Sequence, residues 1–389
     1  MTTDEPLRPD SPVLADAASS LAAAYVHVPF CARLCPYCDF NVVVGRDDLI
    51  ERYVSAVVAE IEREPVWRQL DAVYVGGGTP SRVPPVLLAS IVDALERRFG
   101  FVPGVEISLE ANPEDWTLAV GDGLREAGFT RVSFGVQSFD HEVLNALGRM
   151  HSPERAETAV GAARLTGFSV NVDLIFGTPG ERKTDWIAGV ARTFSLAPDH
   201  VSAYALTIER GTALGRAVAA GAPAPDEDLQ ADDYEALEKA ARAAGLVRYE
   251  VSNYARPGHT CVYNLVTWAQ GDYLAFGAGA HGHRNGERFR NVRRIDAYLD
   301  RVEAGIRPVQ GTERLDPWGR EQERLLLGLR RTAGVEAGDG GIHLLESAWG
   351  TRLEHAGVID LEGSRLRVRR PLLTDEVSRA VLALSGCDC

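Results

Sequence analysis

From Tyr25 onward, apolar runs of strand length alternate with longer segments of helical period, each pair taking about 30–40 residues. That rhythm constrains the chain more than any other feature. Parallel strands need a crossover of a dozen or more residues, and the crossover is right-handed in nearly every case. The strands read as Tyr25–Phe30, Ala72–Val75, Val105–Glu110, Arg131–Gln137, Ser169–Phe176 and Val201–Ile208. Between them lie helical patterns at Leu49–Glu62, Pro85–Phe99, Leu118–Ala127, Pro153–Leu165 and Asp185–Phe194. Six such units fall short of the eight that close a full barrel. A partial (β/α)6 barrel and an open doubly wound sheet both fit.

After Ile208 the rhythm stops. Pro223 and Pro225 break an Ala/Gly/Asp-rich stretch, a helix follows near Asp232–Ala244, and Gly271–Gly286 reads as an irregular surface loop. From about Asp316 helices are expected at Glu321–Arg330 and Ile342–His355, with a hairpin of Val358–Leu361 and Arg365–Arg369. That is the layout of a small winged-helix-like α+β domain. Arg365, Arg367 and Arg369 alternate with Leu366 and Val368, which suggests a solvated basic face. The expected organisation is a disordered polar leader (1–23), an α/β barrel (24–255), a connecting segment with the glycine-rich loop (256–315) and the terminal domain (316–385).

Composition narrows the function. Hydrophobic residues at 45% and charged residues at 25% are ordinary for a globular chain. No run of about 18 apolar residues offers a membrane span, and the leader lacks the basic-then-apolar layout of a signal peptide. A cytoplasmic protein is expected. With 55 acidic against 41 basic residues the net charge is −14, which makes nucleic acid a poor partner. Three of the six cysteines cluster at 31, 35 and 38, Cys261 reads as a small buried residue, and Cys387 and Cys389 read as a mobile tail.

Cys31-Ala-Arg-Leu-Cys35-Pro-Tyr-Cys38 sets three thiols in one loop directly after the first strand. Iron–sulfur cubes are normally held by four thiolates, so three would leave one iron open to a substrate or cofactor. The alternative is structural zinc with His27 or Cys261 as fourth donor. Gly76-Gly77-Gly78-Thr79-Pro80 ends the second strand, where glycines let the backbone approach a ligand and offer it N–H donors. Glu110 and Asn112 end the third strand, Gln137 ends the fourth, and Asp173 lies in the fifth ahead of Gly177-Thr-Pro-Gly180. Ligands of parallel barrels gather at the C-terminal strand ends. One polar residue there would be turn chemistry; five in register read as a site.

The stretch Tyr25-x-His27-x-Pro29-Phe30-Cys31, with Cys35-Pro36-Tyr37-Cys38-Asp39-Phe40, closely resembles the radical S-adenosylmethionine enzymes of the coproporphyrinogen-oxidase-like group. The resemblance continues through Gly76–Pro80, Glu110–Pro113, Ser133–Phe139, Asp173–Gly177, Gly277–His281 and Leu327–Arg330, and so covers nearly everything after Ala24. It implies that Cys31, Cys35 and Cys38 hold a 4Fe–4S cluster whose open iron is chelated by S-adenosylmethionine, the source of a 5′-deoxyadenosyl radical. It also implies that Tyr25, Gly77, Gly78, Thr79, Glu110, Gln137, Arg149 and Asp173 contact S-adenosylmethionine. Glu110 and Asp173 can accept from an ammonium or ribose hydroxyls, and Arg149 can fork a carboxylate. Taken alone, Arg149 is as readily a surface arginine.

The group contains a decarboxylase, the oxygen-independent coproporphyrinogen III dehydrogenase, and a heme carrier. The decarboxylase tends to have a longer N-terminal region and a further Cys two residues after the triplet; here residue 40 is Phe. The resemblance therefore implies a heme chaperone that passes heme to membrane respiratory haemoproteins. The decarboxylase and a specialised radical enzyme on the same scaffold are the alternatives. The carrier typically shows His-Asn-x-x-Tyr-Trp in association with heme, where this chain has Tyr263-Asn264-Leu265-Val266-Thr267-Trp268. Tyr263, Asn264 and Trp268 are the heme candidates, since a tyrosine can ligate heme iron. Cys261, His281 and His283 are further candidate ligands, against the plainer reading of the two histidines as partly exposed loop residues.

Overall fold

The computed structural model describes residues 8–385. Cys387, Cys389 and residues 1–7 of the leader lie outside them. Six strands, β1 (Ala22–Val28), β2 (Leu70–Gly77), β3 (Phe101–Ala111), β4 (Arg131–Gln137), β5 (Ser169–Phe176) and β6 (His200–Ala205), pair in parallel and in chain order. They alternate with α1 (Ile50–Arg63), α2 (Pro85–Phe99), α3 (Leu118–Glu126), α4 (Pro153–Leu165) and α5 (Lys183–Ser195). Strand order never reverses, so right-handed crossovers place every helix on the same side of the sheet. This decides for the partial barrel, because a doubly wound sheet needs a point where the order turns back.

The other side of the sheet is polar at every second position. On β4, Val132, Phe134 and Val136 enter the core under the helices, while Arg131, Ser133, Gly135 and Gln137 line a cavity. On β5 the same alternation sends Asn171, Asp173 and Ile175 to the cavity and Val170, Val172 and Leu174 to the core. A strand's period of two thus separates the packing face from the ligand face. Ser152, with Pro153 in the first helical turn, caps α4 through its side chain.

Four expectations are corrected. Gly271–Gly286 is not an irregular surface loop. Asp272–Phe276 (β7) runs parallel to β1 in register Ala22↔Asp272 to Val26↔Phe276, and His281–Arg284 follows it antiparallel. The glycines let this strand leave closely past β1: at Gly277 (φ +98°) a Cβ would sit 2.5 Å from the His27 carbonyl oxygen. Second, residues 8–23 are ordered as far as the start of β1. Pro12–Ala17 is helical, Ala15 and Ala18 are buried, and Arg331 Nη1 donates to Ala15 O at 2.8 Å. Alanines that read as a featureless leader fit there because they are small.

Third, Arg365 does not lie on a solvated face. It is 6% exposed and donates to both Asp16 carboxylate oxygens at 2.6 Å. Arg367 and Arg369 pair with Glu362 and Asp360. Around Arg365–Val368 a three-stranded antiparallel sheet and four helices enclose a separate core that includes Leu325, Leu353, Ile359, Leu366 and Val377. Fourth, the expected helix Ile342–His355 breaks at Ser347, which is extended (ψ 151°) and caps Ala348–His355 by accepting from Gly350 N at 2.9 Å.

Candidate functional site

A cavity of about 550 Å³ opens at the C-terminal ends of the barrel strands. Cys31, Cys35 and Cys38 stand in its wall, all partly exposed. Cys31 Sγ lies 3.5 Å from Thr79 Oγ1, and Arg149 Nη1 lies 3.7 Å from Cys35 Sγ. Burial pushes the Cys31 thiol up and the Cys38 thiol up to about 11. Both are protonated at neutral pH, so ligation must displace protons.

Among the described residues, no three His, Cys, Asp or Glu side chains converge on a point that one ion could occupy. A structural zinc needs its donors within about 2.3 Å of one point. Nor is a fourth zinc donor at hand. The His27 ring is engaged by Tyr25 Oη at 3.0 Å and by Asn41 O at 2.8 Å. Cys261 sits at the opposite end of the strands, at the N-terminus of the helix Val262–Trp268 (α6).

The glycine turn is a close-packed cradle. At Gly77 (φ +112°) a Cβ would fall 2.2 Å from His27 Cε1, and at Gly78 2.6 Å from the Pro29 carbonyl carbon. Its N–H groups are not free for a ligand, against expectation. Gly77 N donates to Glu110 Oε2, Gly78 N to Val28 O and Thr79 N to Phe30 O, each at 2.8 Å. The turn instead fixes Glu110, whose Oε1 also accepts from Tyr74 Oη at 3.1 Å. Burial, with the Asp173 charge added, raises the Glu110 carboxyl to about 7 against the pull of those two bonds. Burial raises Asp173 too, although it accepts from Ser133 Oγ and Asn171 Nδ2, both at 2.7 Å.

Arg149 is a wall residue. Nη2 donates to Asn112 Oδ1 (2.5 Å) and Gly135 O (2.7 Å), and the buried Nε has no partner among the described residues. Gln137 has φ +68° beside a register shift at the end of β4, which aims it into the cavity. Gly77, Gly78, Thr79, Glu110, Gln137, Arg149 and Asp173 therefore meet at one cavity with the three cysteines. Tyr25 does not line it; its ring packs in a cluster with those of Tyr74 and Tyr263, at centroid distances of 6.4 and 5.9 Å.

The heme candidates do not converge. Tyr263 belongs to that aromatic cluster, and burial drives its phenol far above the ordinary value, which opposes the phenolate needed for iron. Asn264 reaches the cavity floor, while Trp268 turns away to stack on Arg330. The floor was missed from sequence. His200 bonds Asn171 Oδ1 (2.7 Å) and Tyr249 Oη (2.9 Å), and Arg131 donates to Glu106 at 2.8 Å. Burial holds His200 neutral. The signal was there, as Arg131, Ser133, Asn171, His200 and Ser202 fall on alternate positions of otherwise apolar strands.

A six-stranded partial barrel with a three-cysteine loop at its C-terminal mouth defines the radical S-adenosylmethionine class, and the profile of the Radical SAM superfamily matches residues 25–188. The Escherichia coli coproporphyrinogen III oxidase (HemN), a solved radical SAM enzyme, superposes with a TM-score of 0.80 over 95% of this chain and 91% of its own, at 23% identity. A heme chaperone HemW of Mycobacterium tuberculosis is 40% identical over 92% of this chain and 94% of its own length. HemW of Bacillus subtilis is 33% identical over 81% of this chain and 85% of its own. The chain belongs to the HemW family of the radical SAM superfamily.

Proposed function

We propose that this chain is a heme carrier, with a 4Fe–4S cluster and S-adenosylmethionine resident in the barrel mouth, which delivers heme to membrane respiratory haemoproteins. The observation that carries the resident cofactors is the meeting of Cys31, Cys35 and Cys38 with Glu110, Gln137, Arg149 and Asp173 at one cavity. Cys31, Cys35 and Cys38 would hold the cluster, which when bound supplies an electron to the sulfonium. Glu110 and Asp173 offer carboxylates to an ammonium or to ribose hydroxyls. The Arg149 guanidinium, already positioned by Asn112 and Gly135, offers a cation to a carboxylate. The name of the relatives supports heme as cargo, and Phe40 in place of a further cysteine supports the carrier over the decarboxylase. Among the described residues no helix is long and apolar enough to cross a membrane, and a cytoplasmic setting is part of this reading.

The test is a heme titration of the anaerobically reconstituted protein, followed at the Soret band. Saturation near one heme per chain is expected, with no conversion of coproporphyrinogen III when S-adenosylmethionine and a reductant are supplied. Turnover of coproporphyrinogen III would overturn the carrier reading.

A further inference from the structure

If heme is the cargo, it needs a ligand that the stretch at 263–268 does not present. The antiparallel strands beyond β7 offer one. His281 and Arg290 are direct cross-strand partners, and Arg290 in turn faces Gly311 on the next strand. The three residues therefore form one row on one face of the sheet, with side chains of paired residues about 5 Å apart. Gly311 contributes no side chain, and the Arg290 side chain lies over it, with Nε 3.3 Å from where a Cβ would stand.

The row is chemically unspent. His281 is exposed, and neither ring nitrogen has a hydrogen-bond partner among the described residues. The rings of His27, His151, His200, His259 and His283 are all engaged. Desolvation, with Arg290 and Arg293 nearby, lowers the His281 imidazole and keeps its lone pair available at neutral pH. On the same strands Arg284, Arg288 and Arg314 are each paired with a glutamate. Arg290 and Arg293 are exposed and have no carboxylate partner among the described residues. Beside His281 they leave positive charge that no carboxylate neutralises among the described residues.

The neighbourhood also borders the cysteine loop. Asn41 Nδ2 donates to Ala278 O and to Arg293 O, both at 3.0 Å, which ties the Cys38–Asn41 turn to the His281 segment. Phe40 on that turn, at the rim of the cavity, and Val44 on the short strand after it are 64% and 45% exposed, large apolar side chains left in water. A neutral imidazole, two unpaired guanidiniums and bare apolar surface match a flat apolar macrocycle with a ligand-accepting metal and two carboxylates.

We infer that heme docks on the exposed part of the strand face at His281, with His281 as the iron ligand and Arg290 and Arg293 meeting the propionates. This rests on the carrier reading. It also places the cargo beside the mouth of the barrel and leaves the interior to the cluster and S-adenosylmethionine.

Heme titration of the reconstituted full chain, in parallel with His281→Ala, Tyr263→Phe and Arg290→Ala/Arg293→Ala, separates the possibilities. Circular dichroism and S-adenosylmethionine binding serve as folding controls. His281→Ala is expected to weaken heme by about tenfold or more and to lose the histidine-ligated spectrum, with imidazole restoring it. The double arginine variant should bind several times more weakly, with less dependence on salt. Tyr263→Phe should bind as the wild type does. If the wild type binds no heme, the carrier reading itself fails. If the wild type binds and His281→Ala is indistinguishable in affinity and spectrum, the carrier reading stands and this site is wrong. Loss of binding in Tyr263→Phe alone would move the ligand to the barrel floor.

Discussion

Replacing Glu110 by Gln sets two effects of one charge against each other. In the folded protein the Glu110 carboxyl is raised by burial to about 7, from an ordinary 4.5. The folded state thus holds this proton more tightly than the unfolded chain does. Glu110 contributes stability that is fully present below pH 4.5 and is lost as pH rises through 7. The gap of about 2.5 pH units, at about 1.4 kcal/mol each, makes the ionised form cost about 3 kcal/mol at pH 8. A glutamine keeps the shape. Its amide oxygen can accept from Gly77 N, and its NH2 can donate to Tyr74 Oη, which as a hydroxyl can accept in turn.

Glu110→Gln should therefore stabilise the apoprotein by up to about 3 kcal/mol at pH 8 and change it little at pH 5. The same substitution removes the acceptor proposed for the cofactor's ammonium. A charge-assisted hydrogen bond is worth about 1.5–3 kcal/mol, so S-adenosylmethionine should bind about tenfold to a hundredfold more weakly. Urea unfolding at the two pH values measures the first effect, and anaerobic calorimetric titration measures the second. Equal stability of variant and wild type at both pH values would refute the electrostatic argument. Unchanged affinity would remove Glu110 from the cofactor's contacts.

Gly77→Ala forces a side chain onto φ +112° and into the His27 ring; a loss of about 2–4 kcal/mol in urea unfolding is expected, and a wild-type midpoint would contradict the cradle. Asp16→Ala leaves Arg365 paired only with Glu336 at 3.2 Å. It should cost about 1–2 kcal/mol and speed amide exchange across Pro12–Ser20, whereas unchanged exchange would show that the ion pair does not hold this segment. Cys38→Ser should give reconstituted protein with little iron and no brown colour, and full iron retention would sink the cluster assignment.

The sheet order was legible because strand and helix periods alternate cleanly between Tyr25 and Ala205, and Arg131–Gln137 and Ser169–Phe176 were found to the residue. β7 was missed for a physical reason. Asp272–Phe276 is five residues long and set among glycines that serve its close passage by His27, so composition alone spoke for a loop. The burial of Arg365 depends on Asp16, 349 positions away, a pairing no local pattern reveals. At the site, residues at strand ends were readable from position. The floor residues demanded attention to single polar residues at alternate positions inside strands. The glycine turn was found, but the use of its N–H groups was not, because that depends on where Glu110, Val28 and Phe30 come to lie.

The three cysteines and the cavity beside them are proposed to hold a cluster with one iron open to S-adenosylmethionine. Electron paramagnetic resonance of the anaerobically reconstituted, reduced protein tests this, recorded with and without S-adenosylmethionine alongside iron and sulfide content. About four irons per chain and a signal that changes when S-adenosylmethionine is added are predicted. A colourless protein holding one zinc, or a cluster signal indifferent to S-adenosylmethionine, would contradict the account.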